Sequence, residues 1–147
     1  STGQFFTPYH VCELMAEVVA TYALEKIEKY GYISINDPCC GAGATLIAGV
    51  HVIRKQLEHC DPPRNYQNHI LVVAQDIDEI VGLMCYIQIS LLGLAGFIKI
   101  GNSITDPMST DDSYENYWYT PMYFSDVWST RRMLRQINKL FGKGDDE

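Results

Sequence analysis

Apolar residues recur along this chain in two alternating patterns, one typical of helices and one typical of buried strands. Helical spacing runs over residues 8–30, 44–57 and 78–92. Between these segments, residues 32–36 form a short strand-like run, and the compact apolar run at residues 70–74 has the composition of a parallel strand that is buried on both faces. The pattern therefore predicts strands that alternate with helices.

Three further segments extend this pattern. Residues 97–100 form a third short strand, residues 116–119 read as the start of a fourth, and residues 125–141 form a last helix. Strands alternating with helices indicate a doubly wound parallel sheet. We expect an α/β, Rossmann-like fold with a truncated parallel sheet of about four strands and flanking helices.

Length and composition are those of one packed domain. The chain has 147 residues, of which 47% are hydrophobic. We expect a single domain with an N-terminal helical segment (1–31), a core (32–106) and a divergent C-terminal segment (107–147). The sequence shows no apolar run long enough to span a bilayer and no signal segment, so a cytoplasmic protein is expected.

The cysteines and the charge narrow the chemistry further. The number of cysteines, 5, is odd and no Cys-x-x-Cys occurs, which indicates neither a disulfide scaffold nor a zinc site. The net charge of −7 is unfavourable for a protein that must hold DNA by itself. Basic residues do cluster near the C-terminus: Arg131, Arg132, Arg135, Lys139 and Lys143. Four of them recur at four-residue steps on one face of the last predicted helix, and this face fits either phosphate contact or solvation: Arg131, Arg135, Lys139 and Lys143.

The most informative stretch is Asp-Pro-Cys-Cys-Gly-Ala-Gly at residues 37–43, between a predicted strand and a predicted helix. Gly41 and Gly43 let a ligand approach the backbone, and both can adopt positive φ. The amides that open the next helix would face that ligand. The spacing is neither the dinucleotide fingerprint nor a P-loop, so it predicts a different nucleotide-like cofactor. Cys39 and Cys40 are interpreted as small side chains in a crowded turn.

Together with Gly-Gln-Phe-Phe-Thr-Pro at residues 3–8, this loop resembles the S-adenosylmethionine site of adenine DNA methyltransferases. Modification subunits of type I restriction systems carry Gln-Phe-[Phe/Tyr]-Thr-Pro first and Asp-Pro-x-x-Gly-x-Gly second. The resemblance covers about residues 3–106. It implies S-adenosylmethionine as cofactor and methyl transfer to the exocyclic amine of a flipped adenine in DNA.

The resemblance also implies roles for particular residues. The segment before the first helix would wrap the methionine end of the cofactor, the glycine loop would pass under its amino acid and sugar, and an acid after the second strand would accept the ribose hydroxyls. Thr7 also fits a helix cap, and Asn102 also fits a simple turn. The implied cofactor-binding residues are Phe5, Phe6, Thr7, Asp37, Pro38, Cys39, Gly41, Gly43, Asp76, Ile77 and Asn102.

The catalytic segment of the family departs from its usual form here. These enzymes carry [Asn/Asp/Ser]-Pro-Pro-aromatic after the fourth strand, where the polar side chain orients the target amine and the ring stacks on the base. The chain contains no such tetrapeptide. Its nearest segment is Thr120-Pro121-Met122-Tyr123, in which Thr120 would face the amine and Pro121 and Tyr123 would be retained. The alternative is an aromatic patch that only packs.

Two functional hypotheses follow from this departure. The first is a truncated S-adenosylmethionine-binding domain of an adenine methyltransferase, with DNA reached through a partner. The second is a noncatalytic relative that acts through protein contacts in a DNA-modification or phage-defence system. In either case the short sheet leads us to expect a partner subunit, a homodimer or a larger parent protein.

Overall fold

The computed structural model of the chain describes residues 9–142, apart from the side chains of residues 9–13 and 15–17. No helix in this range is both long and apolar enough to cross a membrane. Short 3-10 turns lie at Tyr66–Asn68, Tyr114–Asn116 and Pro121–Phe124. The helices and strands are, in order, α1 (Tyr9–Tyr30), β1 (Ile33–Asp37), α2 (Ala44–Glu58), β2 (Ile70–Asp76), α3 (Glu79–Leu91), β3 (Ala95–Ile100), β4 (Tyr117–Tyr119) and α4 (Asp126–Leu140).

The strands form one sheet in the order β1-β2-β3-β4. The first three strands are parallel, with Ile35 opposite Val72 and Ala74 opposite Ile98. The fourth strand is antiparallel to β3, so Tyr119 lies opposite Phe97. The predicted α/β fold, with a short and mostly parallel sheet, is confirmed, but the direction of the fourth strand differs from the prediction.

The connection before β4 explains this difference. A parallel return needs a crossover of about a dozen or more residues, usually through an α-helix. Residues 101–116 contain the 3-10 turn Tyr114–Asn116 and no α-helix. The chain therefore folds back beside β3 instead of crossing over the sheet.

The hydrophobic core lies between one face of the sheet and helices α1, α2 and α3. Because the parallel strands follow one another in order, right-handed crossovers place α2 and α3 on the same face. Burial of the core side chains removes apolar surface from water and is the main stabilising contribution to such a layer. The core side chains are Ala23, Ile27, Ile33, Cys40, Leu46, Val50, Ile53, Leu57, Ile70, Val72, Ala74, Cys85, Ile89, Leu94 and Ile98.

The second face of the sheet is only partly covered by the described residues. Ser34 and Asn36 of β1 are exposed on it. Over β3 and β4, aromatic rings pack against each other, with the Phe97 and Tyr123 centroids 5.8 Å apart and those of Tyr119 and Tyr123 4.8 Å apart. The aromatic residues expected to form a packing patch therefore do pack here.

Helix α4 is attached at the amino ends of β1 and β2. Trp128 donates from Nε1 to the carbonyl oxygen of Gln67 at 2.9 Å. Arg131 donates to the carbonyls of Gly31, at 3.0 Å, and Asn68. Arg132 donates to the carbonyl of Tyr123 at 2.6 Å. Arg131, the first residue of the predicted basic face, and its neighbour Arg132 thus bind backbone carbonyls of this domain. Neither of the two roles predicted for that face includes such contacts.

The side chain of Thr120 joins β4 to the start of β3. It is fully buried, at 0% exposure. Its hydroxyl donates to the Leu94 carbonyl at 2.7 Å and accepts from the Gly96 amide at 3.0 Å. Since both donor and acceptor capacity are used inside the sheet, the hydroxyl acts as a structural group.

Thr120→Val should therefore lower the free energy of unfolding by about 1–3 kcal/mol, because it leaves a buried amide and a buried carbonyl without their partner. Urea denaturation followed by circular dichroism measures this loss. Thr105→Val, at an exposed position, is the matched control and should change stability little. Equal stability of the two variants would contradict the structural role of the Thr120 hydroxyl.

Candidate functional site

The loop between β1 and α2 is shaped by its acid and its glycines. Asp37 accepts the amide of Cys39 at its Oδ1 atom, at 3.0 Å, which closes the first turn. Gly41 and Gly43 have φ angles of 54° and 92°, in the left-handed region. A Cβ on Gly41 would meet no atom within 4 Å, whereas a Cβ on Gly43 would lie 2.9 Å from the Cys85 Sγ. The first glycine therefore faces open space, and the second permits close packing against α3.

Helix α2 begins at this loop without a side-chain cap. Its N-cap residue is Gly43, which has no side chain that could accept a hydrogen bond. The first amides of a helix have no partner within the helix, and they are available to a ligand or to water. The role of these amides toward a cofactor stays a prediction.

Asp76, at the end of β2, connects the glycine loop to the next loop. Its Oδ2 atom accepts the amide of Gly41 at 2.8 Å, and its Oδ1 atom accepts the amide of Asp78 at 2.9 Å. The main chain of Cys40 adds a bond to the Gln75 carbonyl at 3.0 Å. Each oxygen of an ionised carboxylate can accept more than one hydrogen bond, so Asp76 retains acceptor capacity for a ligand. Asp78 accepts the Val81 amide and caps α3, as its position predicts.

A third loop, after β3, completes the site. Gly101 donates its amide to the Asp76 carbonyl at 2.8 Å, which brings this loop against the end of β2. Asn102 accepts the amides of Ile104 and Thr105 at its Oδ1 atom, at 2.9 and 3.3 Å. The turn role of Asn102 is therefore present in the structure. Its carboxamide oxygen, the group that could accept from an amine of a bound cofactor, already accepts these two amides.

The three loops enclose a cavity of about 170 Å³ at the carboxyl ends of the parallel strands. Ligands of such sheets bind in this position. A larger open groove of about 410 Å³ runs along α1, but none of the loop residues lines it. The cavity is lined by Pro38, Cys39, Asp76, Ile77, Asn102, Ser103 and Ile104.

Five of the predicted cofactor-binding residues thus meet at one cavity, and the rest of the glycine loop adjoins it. Their role toward a cofactor stays a prediction. Phe5, Phe6 and Thr7 lie outside the described residues. The described part of the chain therefore contains the predicted sugar and base contacts of the site, whereas the segment expected at the methionine end is not described.

The predicted catalytic segment lies at the opposite end of the sheet. Because β4 is antiparallel, Thr120 follows it at the amino end of β3, where its amide donates to the Gly96 carbonyl at 2.9 Å. Tyr123 is buried in the aromatic cluster. The interpretation of Thr120, Pro121 and Tyr123 as the amine-facing segment required a parallel fourth strand. It is not retained, since the structure separates these residues from the cavity.

A polar cluster next to the cavity was missed in the sequence. Lys99 of β3 is buried, and its Nζ atom lies 2.9 Å from Asp106 Oδ1 and 3.0 Å from Asp112 Oδ2. Tyr117 donates its hydroxyl to the same Asp112 oxygen at 2.5 Å. A lysine within the apolar run 97–100, followed by two acids, was the available signal. A buried lysine requires a charged partner, which the acids after β3 supply.

The cluster perturbs the titration of its members. Hydrogen bonds from Tyr117 and Lys99 lower the pKa of Asp112 to about 2. Burial and the bond to Asp112 raise the pKa of Tyr117 to about 12. The bonds to Asp106 and Asp112 raise the pKa of Lys99 above its ordinary value. All three shifts favour the protonation states that exist at neutral pH.

Two cysteines pack beneath the glycine loop. Cys40 and Cys85 are both buried in the core cluster. The hydrogen bond of the Cys40 thiol to Cys85, together with burial, raises the pKa of Cys40, and the same bond lowers the pKa of Cys85. The interpretation of Cys40 as a small packed side chain agrees with this position, whereas Cys39 is exposed at the cavity.

This geometry defines the class of the protein: an α/β domain with a cavity at the carboxyl ends of its parallel strands, where ligands of such sheets bind. A family model described as N-6 DNA Methylase matches residues 1–141. Because the match covers nearly the whole sequence, the chain belongs to the N-6 DNA Methylase family. The resemblance carried by residues 3–8 and 37–43 is thereby confirmed.

Comparison with curated proteins finds no match. Among solved structures, the chain is similar to a protein from Vibrio vulnificus YJ016 described as a modification subunit of a type I restriction enzyme, with 22% identity over 74% of this chain and 19% of that chain and a TM-score of 0.46. It is also similar to a protein from Listeria monocytogenes described as a class I S-adenosylmethionine-dependent methyltransferase, with 14% identity over 92% of this chain and 54% of that chain and a TM-score of 0.43. The chain thus spans less than two thirds of either structure.

The two loop glycines give a matched pair of stability variants. Gly41→Ala should cost about 1–2 kcal/mol, because only the left-handed backbone strains it. Gly43→Ala should cost more, since its new Cβ would also lie 2.9 Å from the Cys85 Sγ. Adding Cys85→Ala should relieve only that steric part. Urea unfolding measures all three, and equal losses for the two glycine variants would show that the Cys85 contact is unimportant.

The shifted pKa of Asp112 predicts a specific acid dependence of stability. A carboxyl whose pKa falls from 3.8 to about 2 on folding stabilises the folded state above its ordinary pKa, and this contribution is lost as the pH falls toward 2. The difference in urea midpoint between the wild type and Asp112→Asn should therefore shrink as the pH falls from 5 to 2, because the carboxyl of the wild type becomes protonated in this range. Asp111→Asn, at the exposed neighbouring position, is the matched control. A constant difference for Asp112→Asn would refute the shift.

Proposed function

We propose that this chain is an S-adenosylmethionine-binding domain of an adenine DNA amino-methyltransferase. The observation that supports this most is the cavity formed by the glycine loop, Asp76 and Ile77, in a chain whose residues 1–141 match the N-6 DNA Methylase family. The proposed reaction transfers a methyl group to the exocyclic amine of adenine in DNA. We further propose that the protein is cytoplasmic and works as a single domain within a larger assembly.

The residues around the cavity fit the proposed cofactor. Asp76 retains acceptor capacity for two ribose hydroxyls, since each oxygen accepts one amide from the protein. Gly41 leaves open space above the loop where a side chain would otherwise stand. Ile77 is 68% exposed at the cavity, as an apolar cover for an adenine face would be. S-Adenosylmethionine would supply an activated methyl group on its sulfonium.

The residues of this chain would bind and orient the nucleoside part of that cofactor. The ribose would be fixed by Asp76, and the adenine would pack against Ile77. The backbone of the loop 37–43 would lie under the amino acid and the sugar. Asn102 would contribute through the turn that it stabilises and not through its carboxamide oxygen, which already accepts two amides.

The segment that would orient the target amine departs from the pattern of the family. The sequence contains no [Asn/Asp/Ser]-Pro-Pro-aromatic tetrapeptide, and its nearest segment lies at the far end of the sheet. This observation favours a second candidate function: a noncatalytic member of the family that binds the cofactor and acts through protein contacts in a DNA-modification or phage-defence system.

Exposed apolar side chains on α4 support a role for protein contacts. The second half of this helix is exposed, and its apolar residues are spaced three or four apart along one stripe. With a net charge of −7, the chain would reach DNA through a partner subunit or a second copy. The exposed apolar residues are Met133, Leu134, Ile137 and Leu140.

Two measurements separate the candidate functions. Calorimetry with S-adenosylmethionine tests binding, and transfer of a radiolabelled methyl group to adenine-containing DNA tests catalysis. Binding with transfer supports the methyltransferase, whereas binding without transfer supports the noncatalytic candidate. Absence of binding would refute both forms of the proposal and leave only the family membership.

Two variants of the cavity test the cofactor assignment. Asp76→Ala should weaken S-adenosylmethionine binding at least about tenfold, because the ribose acceptors are lost. Ile77→Ala removes an exposed side chain, so it should weaken binding about threefold without changing the unfolding midpoint.

Asp126→Ala, at the start of α4 and away from the cavity, is the control and should bind like the wild type. Calorimetry measures each affinity, and circular dichroism confirms the fold. If both cavity variants bind as tightly as this control, the ribose and adenine assignments are wrong.

A further inference from the structure

We propose that Lys99 is a positioning residue for the cofactor cavity, although it does not line the cavity itself. This inference rests on the proposed function, because it concerns the same site. Lys99 fixes the loop after β3, and that loop forms one wall of the cavity. Three sets of contacts support this inference: those of the lysine, those within the loop and those of the neighbouring strand.

The lysine is placed on the side of the sheet that faces away from α1, α2 and α3. Its side chain is 3% exposed, and its Nζ atom has three acceptors in the segment that follows β3. These are Asp106 Oδ1 at 2.9 Å, Asp112 Oδ2 at 3.0 Å and the Pro107 carbonyl at 3.2 Å. An ammonium group has three donors, so all of them are used on this one segment.

Asp106 connects Lys99 to the cavity wall, because its side chain binds the lysine and its main chain binds Asn102. The amide of Asp106 donates to the Asn102 carbonyl at 2.7 Å. The side chain of Asn102 accepts the amide of Ile104 at 2.9 Å, which sets the turn. Residues 102–104 line the cavity opposite Pro38 and Asp76. A shift of Asp106 would therefore move the wall that faces the glycine loop.

A second buried side chain fixes the same turn from the neighbouring strand. Gln75 lies opposite Lys99 in the sheet register and is 3% exposed. Its Nε2 atom donates to the Asp106 carbonyl at 2.8 Å and to the Gly101 carbonyl at 3.2 Å. Gln75 also precedes Asp76 in the chain. The strand end that carries the predicted ribose ligand thus also holds the opposite wall.

The charge of Lys99 is not needed for packing alone. Replacing a buried ion pair by apolar residues of similar volume is often neutral or stabilising, because charges are costly to desolvate. A methionine at this position of β3 would fill much of the same space and would need no acidic partners. What the ammonium group adds is a fixed geometry for a loop that has little apolar surface of its own. A binding site benefits from such support because small displacements of its walls weaken binding.

The test uses Lys99→Met combined with Asp112→Asn, which removes the lysine without leaving the half-buried Asp112 carboxylate unpaired. S-Adenosylmethionine binding should weaken about tenfold, as expected when a supporting contact is lost. Amide hydrogen exchange of residues 102–106 in the ligand-free protein should accelerate about tenfold. Lys99→Arg keeps the charge and the donors, so it should retain part of the affinity and part of the protection from exchange.

Two further variants guard against a trivial loss of stability. Asp106→Asn weakens the pair at its exposed partner, so it should fold and should weaken binding about threefold. Thr120→Val destabilises the opposite end of the sheet without touching the turn, so its affinity should stay within about twofold of the wild type.

Accelerated exchange with unchanged affinity in the double variant would overturn the positioning role, and so would unchanged exchange. Equal loss of affinity in Thr120→Val would reduce the effect to general stability and would overturn it as well. A wild-type protein that fails to bind would instead refute the proposed function, and the inference about cofactor positioning would fall with it. The exchange measurement would still show whether Lys99 fixes the turn.

Discussion

The geometry of the site depends on the hydrogen bonds that the carboxylate of Asp76 accepts. One side chain accepts an amide from the glycine loop and an amide from the loop before α3. Its own main-chain carbonyl accepts the amide of Gly101 from the loop after β3. Three segments that are remote in sequence therefore converge on one residue. The two amide bonds orient the carboxylate, and so they fix the directions in which its oxygens can accept further hydrogen bonds.

The alternation of side chains along a strand lets the end of β2 perform two tasks at once. Gln75 points to the face away from α1, α2 and α3 and binds the turn after β3, while the next residue, Asp76, reaches the cavity. Lys99, opposite Gln75 on the adjacent strand, binds Asp106 of the same turn through the side chain of that residue. The polar groups of the site thus form two layers, one facing the ligand and one supporting the loops from behind.

Local patterns in the sequence predicted the elements and the glycine loop, because helix periodicity, capping residues and glycines act over a few neighbouring residues. The ends of β1 and β2 and the cap at Asp78 were placed in this way. The direction of β4 depends on a connection that lacks a helix. The Thr120 hydroxyl bonds to Leu94 on the neighbouring strand segment, and the Lys99 ammonium bonds to acids in the irregular segment after its own strand. Such pairings leave no periodic signal, and for this reason the catalytic segment was misplaced and the lysine cluster was missed.

The brevity of β4 has a consequence for self-association. This strand has three residues and is followed at once by Thr120 and by Pro121, which has no amide hydrogen. A short border strand that stops at a proline offers few backbone groups for another polypeptide to copy. Intermolecular strand addition, the first event of cross-β aggregation, is therefore disfavoured on this side of the molecule.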